Sequence, residues 1–98
     1  MRHVENSRRL KLSTKLPVID FDSITQAVLE KYLKTFREIN GDDSKIGAIE
    51  YDGDICRAAV KVGWVELDVD NADPRVVRGL AKSIQTYISG ILNYDAKN

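Results

Sequence analysis

A chain of 98 residues, 43% hydrophobic and 31% charged, has room for one domain with a modest core. Its charges balance to zero, so it lacks the strong basic excess of a nucleic-acid binder and the low hydrophobicity of a disordered chain. No apolar run approaches the roughly 20 residues of a membrane-spanning helix, and the single cysteine, Cys56, excludes an internal disulfide.

The charges fall in blocks. Residues 1–16 hold Arg2, Arg8, Arg9, Lys11 and Lys15 against Glu5 alone. Residues 40–73 carry nine acids against Lys45, Arg57 and Lys61. Residues 74–98 are again basic, through Arg75, Arg78, Lys82 and Lys97. Such blocks suit contact with complementary surfaces, including a second copy of the chain, and also suit solvated faces.

The first nine residues lack the apolar stretch of a secretory leader, and the lone thiol fits a reducing cytoplasm. Residues 1–8 are read as a flexible basic tail, 9–92 as a single helical domain and 93–98 as a frayed end. Arg9-Leu10-Lys11-Leu12-Ser13 alternates polar and apolar, which predicts an extended N-terminal arm. Pro17 lacks an N–H, so Pro17-Val18-Ile19 is a poor strand partner for it.

A first helix is predicted over 23–40. Ser23 and Gln26 fit a capping box, with Phe21 or Asp22 preceding it. Ile24, Val28, Leu29, Tyr32, Leu33, Phe36 and Ile39 share half of the helical wheel, and Asn40-Gly41 supplies the stop. Residues 42–54 are acidic and rich in turn formers. A short helix after Ser44 fits them, but Gly47 and Gly53 oppose a long one. The second helix is therefore predicted over 54–62, capped by Asp52 or Asp54. Ile55, Ala58, Ala59 and Val62 form its inner face, and its alanines allow a close neighbour. Gly63 is the left-handed stop, and Trp64 folds back onto the last turn.

Val65 to Val69 alternates briefly before an acidic loop. Asp73-Pro74 then opens a third helix, 74–92, with Asp73 as cap and Pro74 in the first helical position. Val76, Val77, Leu80, Ala81, Ile84, Tyr87, Ile88, Ile91 and Leu92 form a wide apolar face, and Gly79 marks a candidate close crossing with the second helix. The fold class expected is mainly α: a small three-helix domain with a short extended N-terminal arm.

Chemistry has little to work with. Asp68 to Asp73 resembles a calcium loop, but counted from Asp68 position five is Ala72, six is Asp73 and twelve is Gly79, where oxygen ligands and glycine are required. The only histidine, His3, lies in the tail, so no serine or cysteine has an oriented base. No catalytic residue, metal site or cofactor is expected. Arg75, Arg78 and Lys82 make a basic stripe near the start of the third helix, as a DNA-recognition helix would. The connection from Gly63 to Asp73 is too long and too acidic for a helix-turn-helix, which ranks DNA binding below protein binding.

The run Arg57-Ala58-Ala59-Val60-Lys61-Val62-Gly63-Trp64-Val65, followed by an acidic loop and Asp73-Pro74-Arg75-Val76-Val77-Arg78-Gly79-Leu80-Ala81, resembles the middle of small tailed-phage tail assembly chaperones. The resemblance spans roughly residues 9–92. It implies a non-enzymatic helical protein of the infected cytoplasm that binds the tape-measure protein while the tail is built. Cys56 and the acidic segment 40–54 depart from that pattern. The partner-binding residues expected are Trp64, Val65, Arg75, Arg78 and Lys82, with a homo-oligomer as a further expectation. A generic protein-binding module, either a phage-encoded inhibitor or an adaptor, is the alternative.

Overall fold

The structure is a computed structural model and describes residues 17–41 and 47–94. Three helices carry the fold: α1 (Gln26–Asn40), α2 (Ala48–Lys61) and α3 (Pro74–Leu92). Single turns of tighter 3-10 helix precede α1 at Phe21–Ser23 and α3 at Val69–Asn71. The domain is mainly α, and no strand occurs among the described residues. The predicted tail and extended arm, the segment just after Ser44 and the last four residues lie outside them.

α2 is the central element and packs against both α1 and α3, which make few close backbone approaches to each other. It can take two neighbours because Gly53, Cys56, Ala58 and Ala59 along it are small and buried. Around them close Ile19, Tyr32 and Ile55, together with Val77, Leu80, Ala81 and Ile84 from α3.

Both left-handed glycines stand where the sequence places them, Gly41 at φ 66° and Gly63 at φ 86°, a region side chains rarely adopt. At the second, the amide of Trp64 donates to the Ala59 carbonyl at 2.9 Å and that of Gly63 to Val60 at 3.0 Å. This pair of bonds is the Schellman closure of a helix end. At α3, Asp73 is the cap: its carboxylate accepts from the Arg75 amide at 2.9 Å.

Two helix starts differ from expectation. The capping box at Ser23 does not form. Ile19 is buried and Phe21 stacks on Tyr87 with ring centroids 4.6 Å apart, which winds residues 21–23 into the tighter turn. Ser23 Oγ then donates to the Asp20 carbonyl, and α1 starts two residues later than a Ser23 cap requires, with Thr25 Oγ1 accepting from Val28 N. Gln26 falls in the first helical position and its amide donates to Glu30 instead of its side chain reaching back to the Ser23 backbone N–H.

α2 starts at Ala48 rather than near 54, so neither Asp52 nor Asp54 caps it; the capping position is Gly47. Gly53 does not break the helix, because its bare side makes room for a neighbour. A Cβ there would sit 2.9 Å from Arg57 Nη1. That clearance lets Arg57 lie along the helix and bind Asp54 and Asp70, each at 2.8 Å.

Val65 to Val69 does alternate, with Val65, Leu67 and Val69 turned half inward and Glu66 and Asp68 outward, but as a strap on the core with no strand beside it.

Candidate functional site

Helix stripes that are apolar over more than the core requires leave surface to spare, and here the surplus collects where α1 and α3 stand apart. A groove of roughly 280 Å³ opens there. Tyr32, Leu33 and Phe36 of α1 form one wall, Ile84, Gln85, Ile88 and Ser89 of α3 the other, and Tyr51 and Ile55 of α2 the floor. No Asp, Glu, Lys or Arg lines it.

The walls are stiffened by aromatic contacts. Phe36 meets Tyr51 edge-on at 5.6 Å between centroids, and Tyr32 is stacked on Trp64 at 4.4 Å and 13°. The Tyr32 hydroxyl donates to the Ile55 carbonyl at 2.9 Å, and burial raises its pKa well above that of an ordinary tyrosine. A preformed, uncharged cleft between helices matches the way an amphipathic helix is bound, by burying anchors spaced a turn apart.

The residues predicted from sequence to bind a partner fall in two places. Trp64 and Val65 are half-buried at the margin of the core. Trp64 packs against the core beside the end of α2, as expected; its ring also stacks on Tyr32 of α1, and its Nε1–H meets no acceptor. Arg75, Arg78 and Lys82 are exposed along one outward face of α3. Both arginines are already engaged, Arg75 with Asp73 at 2.6 Å and Arg78 with both oxygens of Asp52 at 3.0 Å. Arg75 also holds the Asp73 carboxyl down to a pKa of about 2.

Three further carboxylates of residues 40–73 are similarly occupied. Asp54 binds Arg57 and Asn40, Asp70 binds Arg57, and Asp68 binds Asn71. A second cleft of roughly 360 Å³, between the starts of α2 and α3, includes Asp52, Arg57, Asp70 and Arg78 in its lining. Its acids and bases satisfy one another, which leaves little charge for a ligand. Among the described residues no three His, Cys, Asp or Glu side chains gather as metal ligands would. No helix among them is long and apolar enough to cross a membrane.

No family model, curated protein or solved structure matches the chain. The groove therefore has to be read from its own chemistry. Sequence reasoning missed it because each wall looks like ordinary core. The signal present was the width of the α3 stripe, of which Ile84 and Ile88 line the groove.

Cys56 is wholly buried and its Sγ–H donates to the Val77 carbonyl at 3.3 Å. Burial, and secondly the nearby Asp52, push its pKa up to about 12. A thiolate is the reactive form, so the native protein should resist disulfide reagents at pH 8 and react fully in denaturant. Rapid modification of the native chain would contradict this burial.

Proposed function

We propose that the protein is a non-enzymatic binding module that takes an apolar-striped helix of a partner into the groove between α1 and α3. The partner we assign is a phage tape-measure protein, held in the host cytoplasm during tail assembly. The observation that carries the binding mode is the groove itself: three helices supply apolar walls and no charged side chain. The choice of partner rests on the resemblance of residues 57–65 and 73–81 to tail assembly chaperones. Long helical tape-measure segments expose apolar stripes that aggregate unless another apolar face covers them, which is the task a groove of this kind performs.

DNA recognition gains no support, since Arg75 and Arg78 are held by carboxylates and leave Lys82 as the one member of the stripe without an ion-pair partner within the described residues.

Co-expression tests the reading. The wild-type chain should keep a helical tape-measure fragment in the soluble fraction, and the complex should persist in high salt because the groove is uncharged. Tyr51→Glu places a charge on the groove floor at a position already 40% exposed, so the fold should survive while the fragment returns to the pellet. A fragment that stays insoluble with the wild-type chain would reject the tape-measure partner. One kept soluble equally by both chains would reject the groove.

A further inference from the structure

We propose that Gln85 and Ser89 select which helix the groove accepts: its apolar anchors must be flanked by an uncharged hydrogen-bonding side chain, an amide or a hydroxyl. The inference rests on the groove as the docking site and names what is read there. Both residues line the α3 wall one helical turn apart, so their side chains project on the same flank. Both are exposed.

Neither side chain makes a hydrogen bond among the described residues. Ser83, on the same helix, is by contrast spent on its own backbone: its Oγ donates to the Gly79 carbonyl at 3.1 Å. Within the groove the Tyr32 hydroxyl is likewise committed, to the Ile55 carbonyl at 2.9 Å. Gln85 and Ser89 are the two polar side chains of the α3 wall, and both are left to water.

Docking decides what they need. A helix laid between α1 and α3 strips that water, and Ile84, Ile88 and Phe36 around them offer no polar side-chain atom in return. A buried amide or hydroxyl left unpaired weakens binding by about 10- to 100-fold. A partner striped with leucine alone leaves both groups in that condition.

Charge narrows the choice. A carboxylate or an ammonium would lose its own water with no opposite charge on the lining to compensate. Glutamine, asparagine, serine and threonine carry no charge, and Gln85 and Ser89 can each donate to them and accept from them. Ile84 and Ile88 of the same wall take apolar anchors spaced a turn apart, so the polar residue stands beside the stripe and fixes one register of the partner.

Calorimetric titration of the full chain with three synthetic amphipathic helices of about 20 residues tests it. The helices share one leucine stripe and differ only along its two edges, which carry glutamine, leucine or glutamate, so either orientation presents the test residue. The wild-type chain should bind the glutamine helix at least ~10-fold more tightly than the other two. The double variant Gln85→Leu with Ser89→Ala should lose that preference over the leucine helix. Its circular dichroism should be unchanged, because both side chains are exposed. Equal affinity of the wild-type chain for all three helices overturns the selection and leaves the groove standing, as does a preference that survives the double substitution. Failure of the wild-type chain to bind any of them at ~1 mM, or binding indifferent to Tyr51→Glu, overturns the groove and this inference with it.

Discussion

Trp64→Ala should destabilise the protein by about 3 kcal/mol, the cost of removing a large aromatic from a packed site that cannot fully collapse. The indole lies flat on Tyr32, which is 2% exposed and anchors α1 to α2 through its bond to Ile55. Loss of the ring therefore removes burial and a stacking contact, and it uncovers the side chain that joins two helices. Trp64→Phe separates these contributions. Phenylalanine keeps a flat ring on Tyr32 and deletes an N–H that has no acceptor, so its cost should stay below about 1 kcal/mol. Urea unfolding of the three proteins measures both differences. An alanine variant within ~0.5 kcal/mol of wild type would mean that the stack adds little and that Trp64 behaves as a surface residue.

Arg78→Ala should cost roughly 2 kcal/mol, more than Asp52→Ala, although the two substitutions break the same pair. The asymmetry follows from burial. The Asp52 side chain is 8% exposed and that of Arg78 54%. Without Arg78, a carboxylate stays inside the protein with its one charged partner gone; without Asp52, the guanidinium turns into water. The half-exposed arginine keeps the cost below the 3–5 kcal/mol typical of a fully buried pair, and Asp52→Ala should cost about 1 kcal/mol. Replacing both residues with leucine should fall near wild type, because no buried charge is then left unpaired. Equal losses from the two single substitutions would contradict this ordering of burial.

What could be read from the sequence was what local chemistry decides. Asp73-Pro74 and Gly63-Trp64 fix a helix start and a helix end within three or four residues, and both stand as expected. What misled were choices made by distant residues. Ser23 and Thr25 can each cap a helix, and the contact of Phe21 with Tyr87, far along the chain, selects Thr25. Asp52 has the composition of a cap but serves as the buried partner of Arg78 on α3, and no spacing rule announces that pairing. Gly53 argued against helix by propensity, a loss of about 1 kcal/mol that the packing of α2 and room for Arg57 outweigh.

The groove shows the same division. Its residues were legible as apolar stripes on three helices, since the periodicity of Leu33 and Phe36, or of Ile84 and Ile88, is plain. That the stripes of α1 and α3 do not close on each other depends on the distance between helices, which no single stripe encodes. The basic stripe of α3 was legible as charge, but the engagement of Arg75 by Asp73 and of Arg78 by Asp52 was not, because Asp52 is brought there from α2 by the fold.

Backbone amide shifts of the isotopically labelled protein, recorded as a tape-measure helix is titrated in, test the central claim most directly. The groove reading predicts that the largest changes gather at Leu33, Phe36, Tyr51, Gln85 and Ile88, from three separate helices, with Arg75, Arg78 and Lys82 nearly still. Changes centred on Arg75, Arg78 and Lys82, with the groove residues unmoved, would contradict it.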